Sequence, residues 1–239
     1  DEGLTARVEY SNEVWNFSFQ QTQWVLAQAK AEWGSDAFYS YYAKMATQTA
    51  IIWKEVFAET SQQDQLITVI STQNVNPWLT EQILEATAWQ KNEPDSYVAP
   101  NTVFDELAIT SYFGGAETSD ATLRSQLITV IKDHTVDAKA WLAERLMDPT
   151  YPASIPRAIS NWQAQKEVAE KYGLALTAYE GGQHVHHAFA VQGLTEADLA
   201  VLTGFMTDFV RSEEMAELYQ QLWQAWSEVS DGPFMQFGD

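Results

Sequence analysis

The sequence predicts an α/β fold with a parallel sheet, and three observations carry that prediction. Short β-branched apolar runs alternate with long segments whose apolar residues recur at helical spacing. The clearest run, Leu66-Ile67-Thr68-Val69-Ile70, is short and nearly continuous, as a strand covered by helices on both faces should be. No linker or low-complexity tract interrupts the alternation, so the 239 residues read as a single domain, 1–239.

The first strand is expected at about Arg7 to Tyr10, followed by helical stretches from Trp15 through Trp33 and from Asp36 through Glu59. After the Leu66 strand, Pro77 stands where a helix can begin, and Leu79, Ile83 and Ala86 keep helical spacing toward Asn92. A third strand is expected over Glu106-Leu107-Ala108-Ile109-Thr110, stopped by Tyr112, Phe113 and Gly114-Gly115. Helices are expected at about Thr122 to Lys132, Val136 to Met147 and Ala158 to Tyr172, the last with Gly173 just past its end. The fourth strand is Leu174 to Glu180. Thr195, with Asp198 three residues on, marks the start of another helix, and Ser212 to Val229 is strongly amphipathic. A short final strand is expected within Pro233 to Phe237. Five strands fall short of the eight that close a (β/α)8 barrel, leaving an open sheet or the later part of a barrel.

Charge and composition narrow the partners. Thirteen Lys plus Arg against 33 Asp plus Glu give a formal charge of -20, which opposes phosphate backbones and anionic lipid, so neither nucleic acid nor membrane is expected and a neutral ligand is favoured. The absence of cysteine removes disulfides, thiolate metal sites and thiol nucleophiles. No apolar run approaches the roughly 18 to 20 residues that span a bilayer. No secretory leader is legible, and a core strand begins almost at once, so a processed or excised N-terminus is expected.

Two glutamates carry the candidate chemistry. Glu13 ends Arg7-Val8-Glu9-Tyr10-Ser11-Asn12-Glu13, and Glu180 ends Leu174-Ala175-Leu176-Thr177-Ala178-Tyr179-Glu180 ahead of Gly181-Gly182. Carboxylates at the ends of parallel strands are what glycoside hydrolysis requires, one as proton donor and the other as nucleophile or base. That chemistry needs no cofactor and no metal.

The Asn12-Glu13 pair, the Ser111-Tyr112 strand end and the later Glu180 resemble the pattern of clan A glycoside hydrolases at barrel strands four, six and seven. The phrases Glu9-Tyr10-Ser11-Asn12-Glu13-Val14-Trp15-Asn16 and Tyr179-Glu180-Gly181-Gly182-Gln183-His184 also resemble large bacterial secreted proteins of glycosidase-like or cellulose-binding type. The resemblance spans nearly the whole chain. It implies a TIM (β/α)8 barrel of which this chain supplies about the last five strands, and a secreted or cell-surface bacterial location. It implies Glu13 as general acid/base with Asn12 beside it on a sugar hydroxyl, Glu180 as nucleophile, and Tyr112 orienting that nucleophile. In such enzymes the carboxyls stand on the order of 5 to 5.5 Å apart and the reaction retains configuration through a covalent glycosyl-enzyme.

The pattern also has departures. The arginine and histidine of the clan's early strands would lie upstream of this chain, and Phe234 and Phe237 stand where a tryptophan is expected after the eighth strand. A part-barrel exposes strand edges, so a missing N-terminal half-barrel chain or a homodimer partner is expected.

Ten tryptophans suit a sugar-binding protein, because aromatic faces grip the apolar face of a pyranose. Trp15, Trp78 and Phe113, with Trp162, fall where binding loops should be, whereas Trp24, Trp53, Trp89, Trp141, Trp223 and Trp226 fall in helices and read as packing residues. Gln183 and His184 are expected to donate to the nucleophile or the sugar. The cluster His184, His186 and His187 admits a metal reading, but no zinc-type motif is present. The hydrolase reading expects a neutral or weakly charged polysaccharide or oligosaccharide as substrate, and two further readings stand beside it: a non-catalytic carbohydrate-binding protein on a degenerate barrel, and a doubly wound sheet with a switch-point ligand, which would lack any Gly-rich phosphate loop.

Overall fold

The computed structural model describes residues 3–186 and 193–237. In chain order the elements are β1 (Ala6–Glu9), α1 (Gln20–Trp33), α2 (Phe38–Glu59), β2 (Leu66–Ser71), α3 (Pro77–Glu85), α4 (Thr87–Asn92) and β3 (Glu106–Phe113). There follow α5 (Ala116–Ser119), α6 (Ala121–Asp133), α7 (Ala138–Leu146), α8 (Ile155–Tyr172), β4 (Ala175–Gln183), α9 (Glu196–Phe209), α10 (Glu213–Val229) and β5 (Phe234–Gln236). The strands form one sheet in the order β1-β2-β3-β4-β5. The first three run parallel, with Val8 opposite Thr68 and Ile70 opposite Leu107. Chain-order neighbours joined by helical connections are the product of successive βαβ units. The α/β architecture with five strands therefore stands as expected.

Boundaries moved where tertiary packing overrode local signals. The helix expected from Trp15 begins at Gln20, because Val14 and Trp15 turn into the core from a loop instead. The stretch from Pro77 breaks in two at Ala86, whose φ of 44° ends α3. That left-handed turn costs an alanine about 1–2 kcal/mol, and the full burial of Ala86 holds it in place. Helix starts follow the side-chain caps: Asn76 accepts from Leu79 N–H ahead of Pro77, Asp120 from Thr122 and Leu123, and Thr195 from Asp198.

Contacts divide the chain into two compact units. The first comprises Asp1–Thr110 with Gln163–Ala178, and the second Ser111–Trp162 with Tyr179–Asp239. In the first, Tyr42, Ile70, Ile83, Leu84, Trp89, Leu107 and Ile109 are fully buried. Asp105 ties β2 to the entry of β3 by accepting from Thr68 N–H at 2.7 Å and from Thr68 Oγ1 at 2.8 Å. Arg7 on β1 pairs with the buried Glu106 at 3.1 Å.

In the second unit, Phe113, Leu127, Leu142, Phe209 and Trp162 form the core, with Trp162 edge-on to Trp226 at 5.3 Å. Trp162, read from sequence as a possible loop contact, is thus a core residue. The apolar stripe of α10, Met215, Leu218, Leu222, Trp226 and Val229, is buried as its spacing predicts.

Candidate functional site

In the first unit the candidate residues sit in the loop after β1 and at the start of α3. Glu13 lies four residues beyond β1, half-buried, with φ at 45°. That conformation starts a reversal of the chain: Val14 and Trp15, at 0% and 8% exposure, must both enter the core directly after it. Asn16 closes the turn, its N–H donating to the Glu13 carbonyl at 2.9 Å and its Nδ2 to Glu13 Oε2 at 2.7 Å. Thr22 of α1 donates to the Asn16 carbonyl at 2.8 Å and so anchors the turn to a helix. A glutamate in left-handed backbone is a strained feature that clusters at functional sites. Asn12 beside it is exposed, and its carbonyl accepts from Gln21 Nε2 at 2.6 Å.

Trp78 leads α3 with more than half of its surface exposed and meets Tyr39 edge-on at 6.0 Å. Trp15 differs from expectation. It packs edge-on to Tyr42 at 6.4 Å inside the core, so its ring offers no face to a ligand. At the ends of β1 and β2, Ser71 Oγ donates to the Glu9 carboxylate, and the Tyr42 hydroxyl bonds the Ser71 backbone on both sides at 3.2 Å. Burial, and secondarily the Glu9 charge, push the Tyr42 phenol above its ordinary range.

In the second unit, Glu180 is half-buried within β4, because the strand continues to Gln183 instead of ending at the glycines. Those glycines serve close packing. A Cβ on Gly181 would stand 2.7 Å from the Ser111 carbonyl and 2.6 Å from Phe234 Cζ, so only glycine lets β4 seat against β3 beside Glu180. Gly182 adopts φ 132° under the Tyr219 hydroxyl, which also receives Gln183 N–H at 3.0 Å.

Tyr112, the penultimate residue of β3, stacks on His184 with centroids 3.7 Å apart and planes 21° apart. Burial first, and His186 second, hold the His184 imidazole below its ordinary range, which favours a neutral ring in that stack. The Gln183 side-chain oxygen accepts from Val185 N–H at 2.6 Å and so shapes its own loop. Phe113 is a second correction. It is fully buried, edge-on to Tyr219 at 5.8 Å, because its side chain faces the core of the unit.

His184 and His186 lie 5.3 Å apart between ring centroids, and His187 falls outside the described residues. Among the described residues no group of three or more His, Asp or Glu could hold a metal ion. Also among them, no helix is long and apolar enough to cross a membrane.

Sequence reasoning missed Asn16, Glu9 with Ser71 and Tyr42, and Glu117. The Asn16-Phe17-Ser18 pattern was the available signal for the first, since Ser18 N–H does bond Asn16 Oδ1 at 3.0 Å in an Asx turn. Glu117 is fully buried, accepts from Gly115 N–H at 2.7 Å and is pushed above the usual carboxylate range by burial. Nothing local in the sequence distinguishes it from a surface glutamate. Compared with protein-family models, with curated proteins and with solved structures, the chain finds no match.

Proposed function

We propose that this chain is the later, five-stranded part of a (β/α)8-barrel glycoside hydrolase that works with retention, Glu13 acting as acid/base and Glu180 as nucleophile. The observation that carries the reading is the backbone of Glu13: a glutamate forced into left-handed geometry and gripped at its carboxylate by Asn16 at 2.7 Å. Glycine or asparagine would adopt that conformation at less cost.

In the first step the Glu180 carboxylate attacks the anomeric carbon while Glu13 gives its proton to the departing glycosidic oxygen. In the second, Glu13 takes a proton from water as that water attacks the anomeric carbon and frees Glu180. Tyr112, backed by the His184 ring at 3.7 Å, is suited to orient a carboxylate, and Asn12 and Trp78 are exposed for contact with sugar. Trp15 and Phe113 drop out of this binding set because both are buried. Partner strands, from an N-terminal half-barrel or a second copy, and a secreted or cell-surface bacterial setting belong to the same proposal.

The test is covalent trapping. Incubation with 2-deoxy-2-fluoroglycosyl fluorides, followed by intact mass and peptide mapping, should add one 2-fluoro sugar to Glu180 as the anomeric fluoride leaves. Failure to label, or equal aryl-glycoside hydrolysis by the Glu180→Gln variant, would sink the nucleophile assignment. The alternative, a non-catalytic carbohydrate-binding protein, is favoured by the exposed Trp78 and by the amide-rich segments around it.

A further inference from the structure

Four aromatic rings form a contiguous row within the first unit. Phe17 lies 5.1 Å from Phe38, Phe38 lies 5.5 Å from Tyr39, and Tyr39 lies 6.0 Å from Trp78, each pair edge-to-face. They come from three separate segments: the loop after β1, the first turn of α2 and the start of α3. The two ends of the row are the most open, Phe17 at 50% and Trp78 at 58% exposure, and the two middle rings are half-buried. Trp78, the largest ring of the row, is the most exposed tryptophan of the chain.

The polar surroundings are equally specific. In a chain with 33 acidic residues, the segment Thr72 to Thr80 carries no ionisable side chain, and between Ser11 and Gln23 only Glu13 bears charge. Asp36, just before Phe38, is paired with Lys30 at 3.0 Å. Exposed amides flank the row's ends in sequence instead: Asn12, Gln20 and Gln23 about Phe17, with Gln23 Nε2 donating to the Phe17 carbonyl at 3.3 Å, and Gln73 ahead of Trp78. Aromatic rings for C–H groups, amides for hydroxyls and few ionisable side chains in the flanking segments together match an uncharged polyhydroxylated chain, and four rings in successive contact offer more aromatic surface than one sugar covers.

We propose that this row is a binding platform for a neutral glycan several sugars long, running from the Glu13 loop across the starts of α2 and α3. The inference rests on the carbohydrate reading above but not on its catalytic part. The substrate class is therefore a neutral oligosaccharide or polysaccharide, not a single sugar or a uronate polymer.

The experiment is calorimetric titration of the Glu180→Gln chain of residues 1–239, in which hydrolysis plays no part. The probes are cello-, xylo- and manno-hexasaccharides, the matching disaccharides, and polygalacturonate. At least one neutral hexasaccharide should bind well over tenfold more tightly than its disaccharide. Adding Trp78→Ala or Phe17→Ala should weaken that binding about five- to tenfold, the order expected for one stacked aromatic, and Trp78→Tyr should restore most of it. Unchanged melting temperatures would exclude misfolding as the cause. No hexasaccharide binding, equal binding by both alanine variants, or preference for polygalacturonate would overturn the platform. Length-dependent binding by a chain that cannot be trapped on Glu180 would leave the platform standing and remove the hydrolase reading; trapping without length dependence would do the reverse.

Discussion

Asn16 holds Glu13 at two points, its Nδ2 on the carboxylate at 2.7 Å and its backbone N–H on the carbonyl at 2.9 Å. Head group and backbone of the glutamate are thus positioned by a single residue three places on. The φ of 45° at Glu13 is the cost of that arrangement, and it separates stability from function at this position.

Glu13→Gly and Glu13→Ala both remove the carboxylate, but only glycine relieves the left-handed backbone. Glycine should therefore be more stable than alanine by about 1 kcal/mol, the reverse of the usual order. Urea denaturation of the two variants checks this, and both should lack glycosidase activity. Alanine the more stable of the two would mean the turn is unstrained.

Gly181→Ala should destabilise the chain by about 1–3 kcal/mol or more, because the added methyl meets backbone at Ser111 as well as the Phe234 ring. Truncating Phe234 to alanine in the same chain should recover only part of that loss, since the Ser111 carbonyl at 2.7 Å remains in the way. Chemical denaturation of the single and double variants gives the comparison; full recovery would place the clash on Phe234 alone.

Stability should fall as the solution is acidified through the histidine range, in part through His184. Its folded pKa is lowered, so the unfolded chain takes up a proton near pH ~6.5 that the folded chain refuses, and unfolding gains by that difference as pH falls. His184→Phe keeps a ring against Tyr112 and removes the titration. Melting temperature plotted from about pH 7.5 to 5.5 should fall less steeply in that variant than in the parent; identical slopes would contradict the assignment.

Glu117 acts with the opposite sign. Burial raises its folded pKa, so its contribution is fully present below the unfolded carboxyl value of about 4.3 and is lost as pH rises through the folded value. Glu117→Gln retains an acceptor for Gly115 N–H and cannot ionise. Its melting temperature at neutral pH should equal or exceed that of the parent, with a flatter profile between about pH 4.5 and 7. A less stable variant across that whole range would show that the carboxylate is needed as such.

The sequence by itself determined the α/β class, the five strands and most helix starts, because these rest on local quantities. Apolar period, β-branching and capping residues such as Asn76, Asp120 and Thr195 act within a few positions of themselves. It also marked Glu13, Glu180, Tyr112 and Trp78 as candidates, since residue type and place after or within a strand are legible in one dimension. Tertiary structure alone decided what those residues touch. Trp15 and Phe113 look like loop aromatics in sequence and are core residues in space, because the chain turns inward at Glu13 and at the end of β3. Glu180 sits within a strand rather than at its end, because the glycines after it serve close packing against Ser111. The row from Phe17 to Trp78 was invisible for the same reason: its two ends lie 61 positions apart, and its three segments meet only when β1, β2 and their helices pack side by side.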